Sequence, residues 1–287
     1  MKDIFILGII LIMVSIVGCY KTPTSNHVES DITVSAPLLT DSAGQTLNIA
    51  VNSVYRIICP STNRMGTGFL YSSGKVLTAA HIINGSEPNS IFIITANKQK
   101  IEVDKVEKDQ ELDIALLYPK KEIKAKTFII SREDFWPAGR QVLTWGYPAG
   151  YNGLSPMLCV GWLSGEDVVK GPTGKPVNRF VVNAAFNAGN SGGPLIDVEK
   201  DEVIGIVASK MAPLPPYIES ALEALKQNPS GFIYTKTRPD GTTEQMSEAQ
   251  LLEELLQFLR SQTQLVVGHA IKSKDVREFL KNHRMEK

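Results

Sequence analysis

Between Ala50 and Ala208 no stretch keeps its apolar residues at helical spacing. Short strand-like runs follow one another instead: Val54–Ile58, Gly66–Tyr71, Lys75–Thr78, Ile91–Thr95, Ile101–Val106 and Asp113–Leu117. A second series comprises Val142–Gly146, Met157–Leu163, Arg179–Asn183, Leu195–Val198 and Val203–Ala208. Clusters of Gly, Pro, Asn and Ser separate many of them, as turns require. Two groups of short strands at this spacing predict an all-β architecture, a barrel or sandwich pair. With 287 residues, 43% of them hydrophobic, the chain is long enough for one or two sizeable cores.

After Ser209 the texture changes. Ile218, Ala221, Leu222 and Leu225 lie at helical spacing between Pro216 and Pro229. Phe232–Thr237 reads as a strand entering the turn Pro239-Asp240-Gly241. Ser247 and Gln250 form a capping-box signature, which predicts a second helix with Leu252, Leu255, Leu256 and Leu259 on one face. Leu265–Ile271 is strand-like again, and Ser273 is placed to cap a last helix carrying Val276, Phe279 and Leu280.

The stretch "NAGNSGGPLI" surrounds Ser191. A serine hydroxyl is a poor nucleophile at neutral pH. It needs a base for its proton and donors for the oxyanion that forms. The flanking glycines permit a tight turn that can aim the amides of Gly189 and Ser191 at one point, an oxyanion hole. Of four histidines, His27 falls in a polar N-terminal stretch, His269 in a late strand and His283 in the last helix. His81 closes "VLTAAH", a strand running into a short turn, and is the candidate base. Asp113 opens "DIALL" and is the candidate carboxylate that orients it. The glycines also satisfy G-x-S-x-G, the nucleophile elbow of α/β-hydrolases. That fold places its acid and histidine after the serine and alternates strands with helices, and the upstream region lacks the helices.

The order His81, Asp113, Ser191 on a β-rich background resembles the trypsin/chymotrypsin superfamily, in particular its bacterial HtrA/Deg and glutamyl-endopeptidase-like branch. The segments that carry the likeness are "GTGFLYSSGKVLTAAHII", "LDIALL", "WGYPAG", "VVNAAFNAGNSGGPLI", "VIGIVAS" and "VVGHAIKSKDVREFL". The resemblance implies two six-stranded antiparallel β-barrels with the triad in the cleft between them. It puts the first barrel at 50–130 and the second at 131–211 with 263–287, including a C-terminal helix. No residues remain for a C-terminal PDZ domain. Residues 212–262 then become a mainly helical insertion in a loop that is short in the family. It is either a lid or partner-binding element beside the cleft, or a decoration on the outside of the second barrel. By the same resemblance Ala185 takes the position of the pocket-floor acid of tryptic enzymes, and an alanine there cannot attract Arg or Lys. The backbone around Ala208, Ser209 and Lys210 would pair with a peptide substrate, and Lys210 could favour an acidic residue.

The N-terminus offers a second message. Ile4–Val17 is an apolar run too short to span a bilayer comfortably and suited to an export signal. Ile16-Val17-Gly18-Cys19 resembles a lipobox, with residues 1–18 as signal and Cys19 as the lipidated residue. Residues 19–49 are polar and read as a flexible tether. Ile16-Val17-Gly18 also looks like the N-terminus of an activated trypsin. That device needs an aspartate before the catalytic serine, where this chain has Asn190. The expected protein is an exported, lipid-anchored serine endopeptidase of the cell envelope acting on proteins or peptides. The other class weighed is a catalytically silent lipoprotein that uses the scaffold to bind proteins. With 30 basic and 30 acidic side chains the chain gives no support for nucleic-acid binding. No zinc-type Cys/His spacing, phosphate-binding loop or dinucleotide fingerprint is present, so neither metal nor cofactor is expected. Cys59 and Cys159 fall in different predicted strands, and two free thiols are the preferred reading.

Overall fold

A computed structural model describes residues 49–71, 74–210, 216–227, 230–237, 241–262 and 267–284. The signal, Cys19 and almost all of the tether lie outside the described residues, as does the turn at residues 238–240. The strand series folds as two closed barrels. In the first the order is β1 (Val54–Cys59), β2 (Arg64–Tyr71), β3 (Lys75–Ala79), β6 (Ile114–Pro119), β5 (Lys100–Asp109), β4 (Phe92–Ile94). In the second it is β10 (Pro194–Asp197), β11 (Glu202–Lys210), β14 (Val267–Lys272), β9 (Pro176–Asn183), β8 (Met157–Lys170), β7 (Gln141–Gly146). Every pairing within both barrels is antiparallel, which removes the α/β-hydrolase alternative.

Closure explains how such short strands become stable. A barrel has no edges, and each strand turns alternate side chains inward. Ile57, Leu70, Val76, Ile93, Val103 and Leu117 fill one interior, and Val142, Leu163, Phe180, Val182, Leu195 and Ile204 fill the other. A third buried cluster joins Phe69, Leu77 and Leu116 of the first barrel to Trp145, Ile196 and Ile206 of the second. Cys59 and Cys159 are free thiols, and burial pushes both up from the usual thiol range.

β8 runs well beyond Leu163, where the sequence suggested a stop. Gly165 absorbs a register shift against β9 at φ +153°, and the strand continues to Lys170 with Glu166, Val168 and Lys170 on its exposed side. Between β11 and β14 lie helix α2 (Pro216–Gln227), the hairpin β12 (Ile233–Thr237) with β13 (Thr243–Ser247), and helix α3 (Glu248–Gln262). The capping box is formed in both directions. The Gln250 backbone N–H donates to Ser247 Oγ at 3.3 Å, and the Ser247 backbone N–H donates to Gln250 Oε1 at 2.9 Å. The leucines of α3 share a face as the spacing predicted, and that face is exposed to solvent. Helix α4 (Ser273–Arg284) closes the described chain and buries Val276, Phe279 and Leu280. Ser273 lies within this helix, and its hydroxyl donates to the Glu133 carbonyl at 3.4 Å.

Candidate active site

His81 and Asp113 come from the first barrel, Gly189 and Ser191 from the second. β3 ends at Ala79, and the chain turns at once into the single helical turn α1 (Ala80–Ile83), which lifts the His81 side chain into solvent. Asp113 immediately precedes β6 and adopts φ +60°, a left-handed conformation that aspartate tolerates better than most residues. From there its carbonyl accepts the Ala80 N–H at 3.0 Å. Its carboxylate engages His81 twice: Oδ1 accepts the backbone N–H and Oδ2 contacts Nδ1, each at 2.8 Å. With Nδ1–H donating to a carboxylate, the lone pair of the neutral imidazole resides on Nε2.

The turn at Ser191 is built on two glycines with positive φ, Gly189 at +94° and Gly192 at +86°. A Cβ on Gly189 would lie 2.4 Å from the Tyr147 carbonyl oxygen, and one on Gly192 would lie 2.0 Å from that of Thr67. The peptide groups of this turn are oriented by neighbours. The Ala188 carbonyl accepts the Ala149 N–H at 2.6 Å, so the trans peptide turns the Gly189 N–H to the opposite side. The Asn190 carbonyl accepts the Gly193 N–H at 3.0 Å, with the same effect on the Ser191 N–H. Neither of these two amides has an acceptor among the described residues. Thr67, fully buried on β2, fixes the turn from the opposite barrel. Its N–H donates to the Ser191 carbonyl at 2.8 Å and its hydroxyl to the Gly189 carbonyl at 2.6 Å, while the same hydroxyl accepts the Tyr147 N–H at 3.0 Å.

The Ser191 hydroxyl donates to the Ala208 carbonyl at 2.8 Å. Ala208 can offer that carbonyl because it sits at a register shift between Val207 and Ser209, where β11 bulges away from the ladder with β14. Before the Ser191 hydroxyl could give its proton to any base, it would have to leave the Ala208 carbonyl. Catalytic hydrogen bonds often tighten only when substrate is bound. Two clefts meet at His81. One, of about 480 Å³, is lined by Arg64, Met65, Ala149 and Gly189, and the other, of about 410 Å³, by Asp113, Ala208, Lys170, Arg179 and His269.

Residues 66–206 match the family model described as the trypsin-like peptidase domain. The chain carries a trypsin-like peptidase domain. Its curated relatives include serine protease Rv3671c of Mycobacterium tuberculosis, 32% identical over 147 residues that make up 50% of this chain and 35% of that protein. The probable periplasmic DegP-like serine endoprotease of Ectopseudomonas mendocina is 31% identical over 146 residues, 50% of this chain and 28% of the relative. The chloroplastic Do-like protease 1 of Arabidopsis thaliana is 30% identical over 155 residues, 52% and 34% respectively. The match thus spans only about a third of each relative's length. Among solved structures, the active form of the Rv3671c protease superposes with a TM-score of 0.50 at 24% identity, covering 67% of this chain and 85% of that one, a likeness of fold.

In the trypsin-like peptidase domain of this chain, the sequence-derived residues His81, Asp113, Gly189 and Ser191 converge as described. Ala185 is half-buried, and its carbonyl receives the Cys159 thiol at 3.5 Å. Ser209 and Lys210 continue β11 opposite His269 and Gly268, and their side chains lie outside the description. Thr67 and Ala149 were within segments singled out above, but only the fold shows which carbonyls they hold. Arg179 opened a predicted strand, where a charge ordinarily reads as a solvated end. In the structure it is 4% exposed and lines the second cleft. Among the described residues no group of three or more metal-ligating side chains comes together.

Proposed function

We propose that this chain is a serine endopeptidase that cleaves peptide bonds through an acyl-enzyme, with Ser191 as nucleophile, His81 as base and then acid, and Asp113 as its orienter. The observation that carries the reading is the Asp113 carboxylate on the backbone N–H and Nδ1 of His81, which shares a cleft with a serine turn whose Gly189 and Ser191 amides have no acceptor among the described residues. Ser191 Oγ attacks the carbonyl carbon as its proton passes to His81 Nε2. The two amides bind the oxygen as it gains charge, and His81 returns the proton to the leaving amine. Water then repeats the sequence on the acyl-serine and releases the acid. Asp113 holds the Nδ1–H tautomer and stabilises the imidazolium. Strand addition to β11 around Ala208 would align the substrate backbone. Lipid on Cys19, with the polar tether behind it, would keep this chemistry at the cell envelope. The description of one relative as periplasmic supports an exported setting.

Ala185 at the pocket floor offers no carboxylate to a basic residue, so small or aliphatic side chains before the scissile bond are the proposed substrates. A panel of peptides differing only there is expected to give kcat/KM at least about tenfold higher for Val or Ala than for Arg. Preferred cleavage after Glu would assign the selectivity to Lys210, and strong preference for Arg would overturn the pocket assignment.

A further inference from the structure

Arg179 reaches from β9 of the second barrel to the loop of the first that presents Asp113, and its Nη2 donates to the Leu112 carbonyl at 2.9 Å. That carbonyl belongs to the peptide bond entering Asp113. The Leu112 N–H is held as well, by Asp109 Oδ1 at 2.9 Å, and the Asp113 carbonyl by Ala80. The backbone is therefore fixed on both sides of a residue at φ +60°. A second tie joins the same two regions, from the Thr173 N–H to Glu111 Oε2 at 3.2 Å.

The arginine itself is poorly provided for. Its Nη1 is buried and has no hydrogen-bond partner among the described residues. Burial pushes the guanidinium below its usual range, opposed by the charges of Asp113, Asp275 and Asp109. A buried cation with an unmatched donor is a weak device for stability, since well-packed apolar replacements are often neutral or better. Its place in the same cleft as His81 and Asp113 points to another use.

We propose that Arg179 is the positioning residue of the orienting carboxylate. By clamping the Leu112–Asp113 peptide across the barrel interface it holds Asp113 in the left-handed conformation from which both oxygens reach His81. This rests on the assignment of Asp113 and His81 above, and Asp113→Asn, compared under the same conditions, tests that assignment separately.

Arg179→Met and Arg179→Lys in the full chain are the test, with kcat and KM measured on one peptide, melting followed for each variant, and the low-field proton of the His81–Asp113 hydrogen bond observed by NMR. For Arg179→Met the account expects kcat down at least tenfold, KM within about threefold of wild type, and the low-field resonance lost or broadened while the protein remains folded. Arg179→Lys, which retains a donor for Leu112, is expected to recover most of kcat and the resonance. A folded Arg179→Met with wild-type kcat and resonance, altered only in melting, overturns the proposal. So does a folded Arg179→Lys that is no better than Arg179→Met, and should the Met variant fail to fold, wild-type turnover by Arg179→Gln does so as well. If Asp113→Asn is also fully active, it is the triad assignment that fails.

Discussion

His81→Ala is expected to lower kcat for a peptide substrate by about 10⁶-fold with little change in KM, the scale of loss seen when a base and nucleophile act as one unit. The magnitude follows from the geometry. Among the described residues His81 is the titratable group that borders both clefts beside the serine turn, and its Nδ1 is already committed to Asp113. Without the imidazole the Ser191 hydroxyl keeps its proton and its hydrogen bond to Ala208. Asp113→Asn should cost about 10⁴-fold by a different route. An amide NH₂ facing Nδ1 favours the tautomer with its proton on Nε2, leaving no lone pair toward the serine. Steady-state kinetics on one peptide checks both, and a loss below about tenfold for His81→Ala would exclude it as the base.

Gly189→Ala should lower kcat by at least about 10²–10³-fold, the usual cost of one oxyanion donor. The methyl group cannot be accommodated by a side-chain movement, because the atoms it meets at 2.4 Å and 2.8 Å are the backbone oxygen of Tyr147 and nitrogen of Ala149. Positive φ at this position adds strain of roughly 1–3 kcal/mol. The 188–189 peptide must therefore shift, which breaks the Ala149–Ala188 hydrogen bond that points the Gly189 N–H outward. Both kcat and melting temperature should fall, whereas Ser191→Ala should leave melting close to wild type. Unchanged kcat in a folded Gly189→Ala would place the oxyanion donors elsewhere.

The parts of this molecule legible in the sequence are those set by neighbours along the chain. Short strand-like runs, many bounded by turn residues, gave the twelve strands of the two barrels, and the glycines around Ser191 gave a tight turn whose Gly189 and Ser191 amides have no acceptor among the described residues. Ser247 and Gln250 gave a helix start that is present as a reciprocal cap. What escaped is set by residues distant in sequence. The length of β8 depends on Gly165 taking a bulge, and "SGED" alone reads as a turn. Thr67 and Gly189 are 122 positions apart, and only barrel packing brings a hydroxyl to that carbonyl. Arg179 is buried because β9 lies against the Asp113 loop, a fact of tertiary arrangement that no local pattern encodes. The leucines of α3 illustrate the converse: the helical stripe was readable, but the environment that face meets was not.

The central claim is that Ser191 is a nucleophile activated within this site, and covalent labelling by a fluorophosphonate probe tests it most directly. Wild-type protein is expected to take up one probe per chain, with the adduct mapped by mass spectrometry to Ser191, while folded Ser191→Ala takes up none and His81→Ala reacts far more slowly. A folded wild-type protein that is not labelled, or one labelled equally well after Ser191→Ala, would contradict the account.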